Sequence, residues 1–331
     1  AAGAADSAVS IAAEHARDLL PQVLQVQSNI AVAQGDIEMA RATYDKALQA
    51  AIAEFSDAHP STAGVRHDMG QLMVELGEFD RARPLLTAAL TGWTSVYGTD
   101  HMDVGRAHLT LANLEHIVGD LERAYHHAES GQDIYDRVLE PDHVDRAAPH
   151  TQLGIIEFRR KNFAEAAAAF TAAYELIRRH HGDDHLQAGV AALNLGETLI
   201  QLDRVDEALA MLDRAERILD TAGIDVGAWL HKSRGQAMLL TGQPRRAVEL
   251  LEQAVAAFEA TPGYPLERAD ALWALARAIE RSTGRSTEHA RELAERARAL
   301  YHERGARRDS AAIDRWLSGH TGANRAKSQG F

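Results

Sequence analysis

The 331-residue chain contains no cysteine. Disulfides, thiolate nucleophiles and cysteine-ligated metals are therefore outside its chemistry. Prolines number eight and aromatic residues make up 5%, while alanine and leucine abound and β-branched runs are few. This is the composition of helices packed through small side chains, and it predicts an all-α fold. Excess positive charge is also missing: 35 Lys and Arg face 48 Asp and Glu, a formal net charge of −13. Such a chain repels a phosphate backbone, and no basic stripe with interleaved aromatics appears, so nucleic acid is not an expected partner. Long hydrophobic runs are absent. The longest run of small residues, Ala166 to Tyr174, is closed by Glu165 and Glu175 and falls far short of the roughly 20 residues a membrane span needs.

Catalytic signatures are missing as well. There is no phosphate loop of the form G-x-x-x-x-G-K-S/T, and no G-x-G-x-x-G, H-E-x-x-H or G-x-S-x-G; no enzymatic activity and no cofactor are expected. Carboxylate pairs such as Asp183 with Asp184, or Glu14 with Asp18, read as solvated charges. The first residue is Ala1 rather than Met, which reads as a trimmed chain, and a cytoplasmic location is expected.

What the chain does contain is a repeat of 42 residues. Ala40, Ala82, Ala124, Ala166 and Ala208 are evenly spaced at that period, and Ala247 and Ala290 continue the series. Four residues after each alanine come Tyr44, Leu86, Ala128, Phe170, Leu212, Leu251 and Ala294. Three residues further on stand Ala47, Ala89, Gly131, Ala173, Ala215, Ala254 and Ala297. Steps of four and three define one face of a helix. Five residues before the alanine stands Gly35, Gly77, Gly119 or Gly242, with Lys161 and Asp203 in the same slot elsewhere. Glycine there suits a left-handed turn between two helices. Upstream, a second helical stripe passes through Met69–Gly70–Met73, Leu111–Ala112, Leu153–Gly154 and Leu195–Gly196–Leu199. Each unit is thus helix, turn, helix. Gly70, Ala112, Gly154, Gly196, Gly235 and Ala276 are small where the two helices must come close.

These residues resemble the tetratricopeptide repeat, in the 42-residue variety of kinesin light chains. The linkers Ser56-Asp57-Ala58-His59-Pro60, Gly98-Thr99-Asp100-His101, Glu140-Pro141-Asp142-His143 and Gly182-Asp183-Asp184-His185 match that subtype, and Pro84 sits where it often carries proline. The resemblance covers roughly residues 21 to 300. It implies a right-handed superhelical solenoid of about seven hairpins with terminal capping helices. The expected organisation is a capping helix over residues 1–20, hairpins over 21–303, a closing helix over 304–318 and a disordered tail over 319–331. The pattern departs from the family at Gln27-Ser28, at Arg234, and in the longer turn from Ser282 to Thr287.

Histidine is abundant at 17 residues, and His59, His101, His143 and His185 recur at the repeat spacing. Equivalent positions in neighbouring hairpins lie about 20 Å apart for helices packed at 8–10 Å, so these four cannot share a metal ion. They are expected to cap or pin the following helix. The run from His180 to His185 is the strongest candidate for a metal-dependent activity.

The resemblance also implies a concave face lined by the first helix of each hairpin. One inner position there reads Asn29, Gln71, Asn113, Ile155, Glu197, Gln236 and Arg277; amides in such a row can hydrogen-bond an extended peptide backbone. Neighbouring positions supply His67, His116, Thr151, Asn194 and Lys232, and Phe158, Trp229 and Trp273 are candidate anchors or packing residues. A clamp of Lys, Asn and Arg for a terminal carboxylate is not reproduced, because Lys232 and Arg277 stand in different repeats. Arrays of this kind are appended to bacterial serine/threonine kinases and nucleotide-switch ATPases. The expected function is accordingly a protein- or peptide-binding scaffold, the regulatory or sensor part of a larger bacterial signalling protein. The rival is a structural adaptor that self-associates through its convex or terminal surfaces.

Overall fold

The computed structural model describes the backbone of residues 2–261, 263–304 and 306–328. Among these, sixteen α-helices and two short 3-10 turns alternate with no strand. The chain divides into two compact units, residues 1–156 and 157–331.

The first unit opens with α1 (Ala2–His15). It continues through three hairpins: α2 (Leu20–Ala33) with α3 (Ile37–Glu54), α4 (Pro60–Glu75) with α5 (Phe79–Tyr97), and α6 (Met102–Val118) with α7 (Leu121–Val138). It ends within α8 (Ala147–Arg160). The first helices of successive hairpins also touch, α2 against α4 and α4 against α6, so they form an inner layer. The second unit holds α9 (Phe163–His181) and three hairpins: α10 (Leu186–Gln201) with α11 (Val205–Thr221), α12 (Gly227–Leu240) with α13 (Pro244–Ala260), and α14 (Pro265–Thr283) with α15 (Glu288–Glu303). Its inner layer is α10, α12 and α14, and α16 (Arg307–Ser328) packs on α15. The backbone of α16 is described to Ser328.

All seven alanines of the periodic series have no exposed surface, and Tyr44, Leu86, Ala128, Phe170, Leu212, Leu251 and Ala294 are at most 2% exposed. The stripe read from the sequence is the core. Its packing explains the small residues upstream: a Cβ added at Gly70, Gly196 or Gly235 would meet Leu86, Leu212 or Leu251 at 2.8, 2.8 and 2.6 Å. Ser28 takes the small-residue place in the first hairpin, fully buried, its hydroxyl donating to the Leu24 carbonyl at 2.9 Å. Arg234, where leucine is usual, reaches out to Asp213 and Glu216 at 2.6 and 2.7 Å.

The turn slot is left-handed whether or not glycine fills it. Gly35, Gly77, Gly119 and Gly242 have φ between +74° and +94°, and Lys161 and Asp203 adopt +68° and +57°. In each case the next residue's N–H returns to the carbonyl five residues back, as in Glu78 to Met73 at 2.8 Å and Arg204 to Leu199 at 3.0 Å. This closes the helix end by a Schellman motif. In the last hairpin Gly284, at φ +72°, ends α14 and Thr287 caps α15, which accounts for the longer turn.

Candidate functional site

The linker histidines act as helix caps. Nδ1 of His59, His101, His143 and His185 accepts the N–H of Ser61, Asp103, Asp145 and Gln187 at 3.1, 3.2, 3.2 and 3.3 Å. Each ring therefore replaces the Ser, Thr, Asn or Asp oxygen that usually satisfies a free N–H at a helix start. Three of the rings are held by stacking on the residue four positions earlier: Phe55 on His59 at 4.4 Å, Tyr97 on His101 at 4.0 Å and His181 on His185 at 4.5 Å. In the run from His180 to His185, Nδ1 of His185 is committed to Gln187, and no group of three His, Asp or Glu that could hold a metal ion is found among the described residues.

The inner layer of the first unit presents a row of amides. Asn29, Gln71 and Asn113, one residue after the small position of α2, α4 and α6, are all exposed. Asp68 organises the row from behind. Its carboxylate accepts from Gln25 at 2.7 Å and Asn29 at 3.4 Å, and lies 3.3 Å from Nδ1 of His67. Burial works to raise the Asp68 pKa, but these donors and the His67 ring outweigh it and hold the group below the usual carboxylate range. The buried Tyr44 hydroxyl donates to Oδ1 of Asn29, and burial raises its pKa so that it stays a phenol. Donor and acceptor of the Asn29 amide are thus oriented.

His67 does not line the face. It is 2% exposed, with Nε2 at 2.9 Å from the Thr110 hydroxyl and its ring 5.3 Å from Trp93; it ties α4 to α6. His116 is half-buried. Thr151, also half-buried, donates to the Ala147 carbonyl at 2.9 Å, so its hydroxyl is used within its own helix.

The inner layer of the second unit is filled by its own side chains. Lys232, 6% exposed, places Nζ 2.9 Å from Glu197, which also accepts from Ser233 at 3.0 Å. Burial opposes the Lys232 charge, yet Glu197 and Asp270 hold its pKa above the usual value. Burial raises the pKa of Asp270, which accepts the Tyr301 hydroxyl. Trp229 sits edge-on to Phe258 and Tyr264 at 5.1 and 4.7 Å, and Phe158 to Phe163 at 5.4 Å. Trp273 meets Trp316 of α16 at 5.6 Å, with the Arg277 guanidinium 6.0 Å from its ring. Each of the three thus packs on a neighbouring ring and stays half-buried. Asn194 and Gln236 are half-buried in the same layer. The start of α16 is anchored by Asp309, 2.9 Å from Nζ of Lys161 and 3.9 Å from Arg159, and Trp316 donates to Glu280 at 2.6 Å. A closing helix was read in this segment of the sequence, but not its contacts with Lys161, Trp273 and Glu280.

No helix among the described residues is long and apolar enough to cross a membrane. The model of the tetratricopeptide repeat matches residues 22–95, 103–176 and 145–221, more than half of the chain. The human clustered mitochondria protein homolog is 25% identical over 146 residues, which is 44% of this chain and 11% of that protein; the chain spans about a tenth of the length of such relatives. Among solved structures, BtubC (BKLC) from P. vanneervenii is similar with a TM-score of 0.59 at 19% identity, over 67% of this chain and 90% of that one. A Rap protein complexed with Competence and Sporulation Factor is similar with a TM-score of 0.57 at 15% identity, over 92% and 76% of the two chains.

Proposed function

Because the chain belongs to the tetratricopeptide repeat family, we propose that it is a non-catalytic scaffold that holds an extended peptide segment of a protein partner on the inner layer of its first unit. One observation carries this reading: Asn29, Gln71 and Asn113 are exposed at the same place on three successive inner helices, with Asn29 oriented from behind by Asp68 and Tyr44. An amide offers both a donor and an acceptor, so a row of them matches the alternating N–H and C=O groups of an extended chain. The corresponding Glu197 and Arg277 of the second unit are engaged by Lys232 and Trp273, which leaves the first unit as the receptive one. The Rap protein of similar fold, complexed with Competence and Sporulation Factor, is consistent with partner capture by such an array.

In this reading the array is the regulatory or sensor part of a larger cytoplasmic signalling protein, of the bacterial kinase or nucleotide-switch ATPase kind. The small fraction of each curated relative that the chain matches supports a module within a longer protein. The test replaces Asn29, Gln71 and Asn113 together by Ala and measures partner affinity by calorimetry. Loss of binding with an unchanged helical circular dichroism spectrum is expected; undiminished affinity moves the function to the outer surfaces, the adaptor reading.

A further inference from the structure

Both flanks of the amide row carry side chains that the row itself leaves unused. On α4, Asp68 stands three residues before Gln71 and Glu75 four after it, on the same face of the helix. Neither carboxylate has a Lys or Arg partner among the described residues. Arg41 on α3 is taken by Glu78 and Arg66 on α4 by Asp57, while Asp68 meets the Gln25 and Asn29 amides and the His67 ring. Both charges reach the Tyr44 hydroxyl, whose pKa they raise further than burial alone, so both lie near the point where Tyr44 meets Asn29. At one or other of the same offsets the neighbouring helices expose aliphatic side chains: Val26, three residues before Asn29, is 56% exposed, and Ile117, four after Asn113, is 47% exposed. We propose that the row takes a basic segment of its partner, with two adjacent Lys or Arg residues at the centre and an aliphatic residue two places to either side of that pair. This inference rests on the reading of the row as a peptide site and names the chemistry of what it holds.

The spacing follows from the fold. The helices α2, α4 and α6 touch in turn, so each crossing measures about 8–10 Å rather than a hairpin width. An extended chain rises about 3.3 Å per residue, so a segment of about six residues spans the three helices. When one edge of its N–H and C=O groups lies on the amides, its side chains point alternately toward the starts and the ends of the helices. With the first residue facing Val26, the third faces Asp68, the fourth Glu75 and the sixth Ile117. The pattern is symmetric, so it holds for either direction of the partner chain. Asp68 is an anion at neutral pH because its pKa is held below the usual carboxylate range, and Glu75 is exposed at the end of α4. Two cations supply charge-assisted hydrogen bonds to both carboxylates, whereas an acidic segment is repelled.

The experiment measures binding of the peptide Gly-Val-Ser-Arg-Arg-Ser-Val-Gly, carrying a neutral dye, to the full chain by fluorescence anisotropy at low ionic strength. Two further peptides replace the arginine pair by Gln-Gln and by Glu-Glu. The basic peptide should bind about fivefold or more tighter than the Gln-Gln peptide, the Glu-Glu peptide weakest of the three, and the difference should shrink as salt is added. Glu75→Arg lies at the end of α4, where a cation suits the helix dipole. It should weaken the basic peptide by about fivefold or more and leave the Gln-Gln peptide unchanged, with the helical circular dichroism spectrum retained. Replacing Asn29, Gln71 and Asn113 by Ala should abolish binding of every peptide. Equal affinity for the basic and Gln-Gln peptides, both lost in that triple variant, overturns the basic preference and leaves the amide row standing as a peptide site. Binding of no peptide, or binding that the triple variant retains, overturns both.

Discussion

The imidazole of His101 lies on the ring of Tyr97, centroids 4.0 Å apart, while its Nδ1 accepts the N–H of Asp103 at 3.2 Å. The end of one hairpin thereby fixes the ring that starts the next. His101→Ala should cost about 1 kcal/mol, the usual worth of an N-cap, and His101→Asp should recover most of it. Denaturant midpoints of the two variants check this; equal loss in both would show that stacking rather than capping matters.

Asp203 holds φ +57° in the slot where four other hairpins have glycine. A side chain there costs about 1 kcal/mol, so Asp203→Gly should stabilise the chain by up to that amount. Gly77→Ala, at φ +75°, should destabilise it by about 1 kcal/mol or more. Thermal melts of both variants would show opposite shifts; shifts of one sign would contradict the turn assignment.

At Gly235 an added methyl would come within 2.6 Å of the Leu251 Cγ. Gly235→Ala should cost about 1–3 kcal/mol through overpacking of α12 on α13. Adding Leu251→Ala should cost less in that background than alone, a coupling measurable in a double-mutant cycle. Strict additivity would mean that the two helices do not meet there.

His108 titrates near pH 4 in the folded chain, against an ordinary value of 6.5. Its folded pKa is depressed, so below pH 6.5 the unfolded state takes up the proton first. The stability contributed by the neutral ring is complete above pH 6.5 and is lost as the pH falls toward 4, by a few kcal/mol at most. Replacing His108 by Leu should flatten the stability profile over that window. An unchanged slope would show that other groups govern it.

Much of this was readable in the residues. Ala40, Ala82, Ala124 and their successors announced a buried stripe because a period of 42 with internal steps of four and three leaves only one helical face, and all of them are fully buried. The capping role of His59, His101, His143 and His185 followed from their recurrence at helix starts. The stacking partners Phe55, Tyr97 and His181 share the same period, with Leu139 in the third place, and that signal was available but unused.

The remainder depends on packing between elements. His67 had the look of a groove residue, yet it turns toward Thr110 and is buried, as are Leu193 and Lys232 at the equivalent positions. Trp273, read as an anchor or a packing residue, meets Trp316 from more than forty residues away. Glu115, with no exposed surface, is held by Arg83 and Arg123. A periodic pattern gives the face on which a residue lies; only the neighbouring element decides whether it is covered.

The central claim is tested most directly by placing a photo-crosslinking amino acid at Gln71 on the inner layer and, separately, at Glu129 on α7, both exposed, and mapping the crosslinked partner by mass spectrometry. Crosslinks from Gln71 to one short partner segment, with none from Glu129, are the predicted result. Crosslinks from Glu129 and none from Gln71 would contradict recognition by the amide row.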